Sequence, residues 1–198
     1  MKEIRKLDMQ FRTEDTNDGK MEIKGYAVVF NSPETYWGYT EVISPRALDE
    51  ADMSDVVLRY NHNDSFMVLA RTRNNSLKLN TDETGLMIDA TLQDDITEHR
   101  DIFNAIKSQL IDKQSFAFTV EEDEYDYDTD TRTITKIGKL FDVSVVDQPF
   151  YNGTDVSVAR KETNDFLERR EELRKEHELK MQEDKLNARK QEILAKLG

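Results

Sequence analysis

The sequence predicts an α+β, β-rich fold: a mostly antiparallel β-barrel with flanking helices, followed by a charged helix at the C-terminal end. Three observations lead there. Short apolar runs set apart by turn residues fill residues 1–160, one strongly helical stretch interrupts them, and the composition changes abruptly after residue 160. The chain has 198 residues, 35% charged and 37% hydrophobic, with a net charge of −13. That acidity argues against broad binding to nucleic acid or to an anionic membrane, which needs clustered Lys and Arg. The absence of cysteine removes disulfides, thiolate zinc sites and cysteine nucleophiles together. The opening segment MKEIRKLDMQFR has no apolar core, and no run approaches about eighteen apolar residues, so neither secretion nor membrane insertion is expected. The N-x-S/T triplets starting at Asn63, Asn74 and Asn152 are therefore not read as glycosylation sites.

In chain order, β-rich runs occupy 21–30, 55–60, 66–72, 76–80, 86–92, 115–120, 132–137 and 140–146. Breakers lie between them, among them Asn31-Ser32-Pro33, Asn74-Asn75, Glu83-Thr84-Gly85 and Gln148-Pro149. Ile102, Phe103, Ile106 and Leu110 recur at helical spacing, with Thr97 placed as an N-cap. A second, short helix is expected at Ser44-Pro45, where Ser caps and Pro takes the first helical position. Many short strands with few helices favour an antiparallel sheet or barrel over a doubly wound fold.

Residues 161–198 hold twenty charged side chains, ten of each sign, so the whole net charge belongs to residues 1–160. The tail is rich in helix formers, and pairs such as Glu171 with Lys175 sit four apart. Its apolar residues are sparse: Phe166 to Leu173 and Leu186 to Ile193 step by seven, but Leu179 breaks the register. A solvated helix is the favoured reading, and a helix that docks on a partner or self-associates is the other. The division is thus a domain at 1–160 and a helical tail at 161–198.

Standard signatures are missing. There is no GxGxxG, GxxxxGK, GxSxG or HExxH, and His62, His99 and His177 are scattered. The stretch 121–130 carries seven carboxylates, and Asp126, Asp128 and Asp130 imitate the start of an EF-hand. Thr131 stands where that loop needs Gly and Ile137 where it needs Glu, so an exposed hairpin tip is expected instead of a metal site. No cofactor is implied. What remains is a nucleophile–base pair. His62 follows a β-run and shares its face with Val56, Leu58 and Tyr60, at the rim of a packed surface. Ser115 opens the run to Val120, sharing a face with the small residues Ala117 and Thr119, which leaves room for a substrate. Read singly, a strand-end histidine is more often structural than catalytic, and a lone strand serine is more often inert.

Five segments in order change that weighting: Gly25-Tyr26-Ala27-Val28-Val29-Phe30-Asn31-Ser32, Glu41-Val42-Ile43-Ser44-Pro45-Arg46-Ala47-Leu48, Leu58-Arg59-Tyr60-Asn61-His62-Asn63, Asp112-Lys113-Gln114-Ser115-Phe116-Ala117-Phe118, and Leu140-Phe141-Asp142-Val143-Ser144-Val145-Val146-Asp147-Gln148-Pro149. Together they resemble the prohead (capsid maturation) serine proteases of tailed bacteriophages, across about residues 20–158. The resemblance implies a fold similar to the herpesvirus assemblin proteases, a β-barrel flanked by helices. It also implies a serine endopeptidase in which Ser115 is the nucleophile, His62 the general base and Asp142 the acid that orients the imidazole. Asp147 on the same segment is the substitute acid. The implied substrates are capsid precursor and scaffold protein, and the enzyme itself, inside the procapsid in the host cytoplasm, with no nucleic-acid or membrane partner. A non-enzymatic capsid assembly or scaffolding protein on a protease-like domain is the alternative. Arg46 stands where the family usually has Gly, Ala70 where Gly is common, and Asp142 where Glu is more frequent. Alternation places His62 on an apolar face while Ser115 and Asp142 face away from theirs, which a strand end or bulge near Asn61 would reconcile.

Overall fold

The computed structural model describes residues 2–7, 12–15, 20–36, 38–147 and 157–197. Residues 1–126 with 130–155 form one compact unit, and residues 127–129 with 156–198 form a second. The first unit is strand-rich. In order it contains β1 (Lys2–Leu7), β2 (Arg12–Asp15), β3 (Met21–Val29), β4 (Glu34–Tyr36), β5 (Tyr39–Ile43), β6 (Val57–Tyr60), β7 (Ala70–Arg71), β8 (Leu77–Thr81), β9 (Gly85–Leu92), helix α1 (Thr97–Lys107), β10 (Lys113–Asp126) and β11 (Thr131–Val146).

These strands form two open sheets. One runs β1-β10-β11-β5-β4, with β6 also paired to β11 and β7 paired to β6; the other runs β2-β3-β9-β8. A barrel closes only when its first and last strands pair. Among the described residues neither sheet does so, and the expected barrel is replaced by two sheets that contribute to one continuous core. Ile23 and Val28 of β3, Leu86, Ile88 and Ala90 of β9, Phe116 and Phe118 of β10, and Ile134, Leu140 and Val143 of β11 all belong to it. On β10 the rings of Phe116 and Phe118 stack at 4.9 Å, and Ser115 and Ala117 on the other face are buried as well. Most pairings are antiparallel, as expected, but β11 pairs in parallel with β5 at Thr131–Ile134 and with β6 at Asp142–Val145.

Several boundaries differ from those read in the sequence, each for a physical reason. The runs at 132–137 and 140–146 are one strand, because β10 and β11 absorb the polar Gly138-Lys139 step through register shifts near Val120. The chain at Ser44-Pro45 makes successive turns instead of a helix. The Ala47 carbonyl is taken by the Ile137 amide at 2.8 Å, and the Asp52 amide donates to the Gly138 carbonyl at 2.8 Å, so β11 claims groups that a helix would need. Helix α1 buries His99, Ile102, Phe103 and Ile106 on one face. It stops at Lys107, and Gln109 takes a left-handed conformation (φ 61°), so Leu110 turns outward and Ile111 fills the core instead. Ile96 holds the N-cap position, while Thr97 lies inside the helix and its hydroxyl accepts from Arg100 Nη2 at 3.2 Å. The acidic stretch is mostly strand instead of tip: β10 continues to Asp126, its residues paired with β11 from Lys136 to Thr131, and the chain turns only between Asp126 and Thr131.

In the second unit, α2 spans Ser157–Leu197, about 60 Å of helix at about 1.5 Å per residue. Its described side chains are mostly exposed, including Leu179, Met181 and Leu186, and Glu171 pairs with Lys175 as anticipated. The triplet at Asn152 and the Gln148-Pro149 pair lie outside the described residues. Among the described residues no helix is long and apolar enough to cross a membrane.

Gly85 shows how tightly the two-strand contact is built. β9 starts beside a register shift in β3 between Tyr26 and Val28, and a Cβ at Gly85 would stand 1.9 Å from the Val28 carbonyl oxygen. Backbone cannot yield as a side-chain tip can, so Gly85→Ala is expected to lower unfolding free energy by at least about 1–3 kcal/mol. A urea titration should show the midpoint falling with an unchanged slope.

Candidate active site

Strand register brings the first two polar groups together. In the β10–β11 pair Ser115 lies opposite Ser144, and Ala117 lies opposite Asp142. Alternation therefore puts Ser115, Asp142 and Ser144 on one side of the hairpin. β6 runs beside β11 with Tyr60 level with Val145, and the chain then stays attached: the Asn61 amide donates to the Val145 carbonyl at 3.0 Å. Here β6 ends, and Asn61 and His62 both adopt positive φ, 52° and 53°. The strand end foreseen near Asn61 is present. Two successive left-handed residues turn the imidazole out of the apolar face of β6 and toward β11. Asn and His are among the residues that tolerate this region best, and holding each there costs about 1–3 kcal/mol. The His62 amide, donating to Ser144 Oγ at 3.3 Å, helps to maintain it.

The ring of His62 stands between a hydroxyl and a carboxylate. Its Nε2 is 2.6 Å from Ser115 Oγ, and its Nδ1 is hydrogen-bonded to Asp142 Oδ1. An Nδ1–H aimed at Asp142 leaves Nε2 as an acceptor for the serine proton. Ser144, which the sequence reading quoted in its motif but gave no role, lies 3.0 Å from Asp142 Oδ1 and 3.1 Å from His62 Nδ1. Its signal in the sequence was the two-residue step from Asp142 along a strand. Asp147 does not reach the imidazole by any hydrogen bond described: it accepts from the Tyr60 hydroxyl and from Asn61 Nδ2. Burial, then the bond to the Asp147 carboxylate, pushes the Tyr60 phenol up to about 12. His99 is a structural histidine, with Nδ1 accepting from the Gln93 amide at 3.0 Å and Nε2 donating to the Val68 carbonyl at 3.2 Å.

A hydroxyl, an imidazole and a carboxylate in this relation have the geometry of a nucleophile, a base and the acid that orients the base. Residues 7–169 match the family described as caudovirus prohead serine protease. The chain belongs to that family. No curated protein and no solved structure matches it. The prohead proteases are serine peptidases of phage capsid maturation, so the chain's class is a protease of that kind. Two of its departures from the family pattern are accommodated locally: Arg46 is not among the positive-φ residues and pairs with Asp49 at 3.1 Å, and the Ala70 methyl is buried in the core.

The space expected beside Ser115 is filled. Ser115 has no exposed surface, and its hydroxyl lies 2.7 Å from the Arg5 carbonyl oxygen of β1. Next to it sits a buried ionic cluster that sequence reading did not detect. Arg5 Nη2 is 2.7 Å from Glu41 Oε2, and its Nε bonds Glu41 Oε1. Arg132 Nη1 reaches Glu41 Oε2 at 3.1 Å and Glu3 Oε2 at 2.9 Å, and its Nε reaches Asp123 at 2.6 Å. Burial, then the Glu41 carboxylate, push the Tyr39 phenol up to about 12. For Glu3, burial works against the charged form but is outweighed by Arg5 and Arg132, so its carboxyl titrates below its ordinary 4.5. A carboxyl held low in the fold stabilises it above the unfolded value and loses that contribution as pH falls through the native one. Unfolding free energy should therefore decline as pH drops below about 4.5. In Glu3→Gln that part of the slope, followed by urea titration at stepped pH, should be missing.

Proposed function

We propose that this prohead protease is an endopeptidase in which Ser115 attacks the peptide carbonyl, His62 takes the serine proton and Asp142 orients the ring. The observation that carries the reading is His62 bridging Ser115 and Asp142 through its two nitrogens. A serine hydroxyl is too weak an acid to attack an amide unaided. As the Oγ–carbon bond forms, the proton passes to Nε2, and it is then delivered to the leaving amine as the carbon–nitrogen bond breaks. Water, activated by the same imidazole, releases the acyl group and restores the serine. Asp142 stabilises the imidazolium present between these transfers. Ser144, touching both acid and ring, acts as a positioning residue. Capsid precursor, scaffold and the protease itself are the proposed substrates, met inside the procapsid in the host cytoplasm.

Ser115→Ala is expected to leave co-expressed capsid precursor uncleaved, a loss on the order of 10⁶ in turnover, with His62→Ala comparable. Asp142→Asn should be the milder lesion, at about 10⁴, while Asp147→Asn should retain the wild-type rate. Full processing by Ser115→Ala, read on a gel of assembled proheads, would end this assignment.

The domain at 1–160 is taken as the catalytic body and 161–198 as an arm that docks on scaffold or capsid protein. The support is α2 itself, long, nearly charge-balanced and mostly exposed along its described side chains. Truncation after residue 160 should leave cleavage of a free substrate intact and abolish recovery of the protease in purified proheads. Normal incorporation of the truncated chain would remove the arm from the account.

A further inference from the structure

The hydroxyl of Ser115 is held by two acceptors at once. Its oxygen is 2.6 Å from His62 Nε2 and 2.7 Å from the Arg5 carbonyl oxygen. A serine has one proton to give. With Nδ1–H directed at Asp142, every hydroxyl that turns toward Arg5 is one that the imidazole does not receive. The carbonyl nearest the serine belongs to a strand in an extended, substrate-like pose. β1 lies antiparallel along β10, with Lys6 opposite Ser115 and Arg5 opposite Phe116. Addition of a strand to a sheet edge is a general way for a protein to hold a peptide, with backbone bonds giving affinity and side-chain pockets giving choice. In this pose the peptide bond nearest the nucleophile is Arg5–Lys6.

The side chain of Arg5 is read as well as covered. Glu41 grips it through Nε and Nη2, a two-pronged contact that a carboxylate makes best with a guanidinium. Phe118 places its ring 5.8 Å from the same group. Glu41 is supplied by β5, directly opposite Arg132 of β11, and it opens the motif whose role the catalytic assignment left unused. It is buried, and the only described cations on it are Arg5 and Arg132.

We propose that β1 holds the place of the substrate strand on β10, and that Glu41 selects substrates with a basic residue, arginine above all, immediately before the cleaved bond. A productive substrate displaces β1, lays its own backbone along β10 and presents its guanidinium to Glu41. This inference rests on Ser115 being the nucleophile.

The test uses the full chain, as wild type and as Arg5→Ala. Two peptides differ only in carrying Arg or Leu before the cleaved bond, and a fluorophosphonate reports access to Ser115, with the modified residue located by mass spectrometry. Arg5→Ala should be labelled on the order of tenfold faster than wild type. The Arg peptide should exceed the Leu peptide in kcat/KM by on the order of tenfold or more, the range of a charge-assisted contact. Glu41→Gln should erase most of that ratio, lowering kcat/KM on the Arg peptide far more than on the Leu peptide. Equal labelling of wild type and Arg5→Ala, whether both react or neither does, would overturn the proposal. So would equal kcat/KM on the two peptides, or cleavage of neither by Arg5→Ala. Should Glu41→Gln not fold, the peptide ratio in Arg5→Ala decides. Capsid precursor that is processed by wild type and not by Ser115→Ala, without preference for Arg, defeats this inference alone. Precursor processed by Ser115→Ala defeats the catalytic assignment beneath it.

Discussion

Strand β11 is hydrogen-bonded along both edges, and the position of every group in the site follows from that. On one edge β10 fixes Ser115 across from Ser144; on the other β5 and then β6 fix Glu41 beside Arg132 and bring the chain to Asn61. A one-residue slip in either ladder would send Asp142 and Ser144 to the opposite face. The core prevents such a slip, because Ile134, Leu140, Val143 and Val145 of the same strand are all buried and would be turned out with it. Apolar packing thus sets the register, register sets the side on which polar groups emerge, and only the last step, the left-handed turn at Asn61 and His62, is local.

Much of this was legible in the residues. The strands at Met21–Val29 and Gly85–Leu92, the buried face of α1 and the stacked face of β10 all follow from periodicity. The order His62, Ser115, Asp142 was visible only through the five family-like segments, since none of the three is unusual alone. What escaped was whatever depends on groups far apart in the chain. Lys2–Leu7 is not among the β-rich runs read from the sequence, yet it is a strand, because what seats Arg5 is an ion pair with Glu41 and not hydropathy. Leu110 fits the helical repeat by spacing and is excluded by the turn at Gln109. The awkward parity of His62 could be posed from alternation but not answered by it, because φ at Asn61 and His62 leaves no mark on a hydrophobic pattern.

The site is assembled and covered in the same fold. The imidazole lies between a carboxylate and a serine hydroxyl, the Arg5 carbonyl of β1 is a second acceptor for that hydroxyl, and in the proposed reading β1 lies where an incoming peptide would. Covering a reactive group with a strand from the same chain makes access depend on a local opening, far smaller than global unfolding.

The ionic cluster bears on how easily such an opening occurs. Glu3 and Arg5 both belong to β1, one anion and one cation, whereas Glu41 and Arg132 belong to strands that stay. Withdrawing a single partner from a buried pair strands an uncompensated charge, at a cost of about 3–5 kcal/mol. Here Glu3 and Arg5 leave together, and Arg132 keeps Glu41 and the part-exposed Asp123 as partners. Detachment therefore leaves Glu41 beside Arg132, so neither of these buried ions is stranded without a partner.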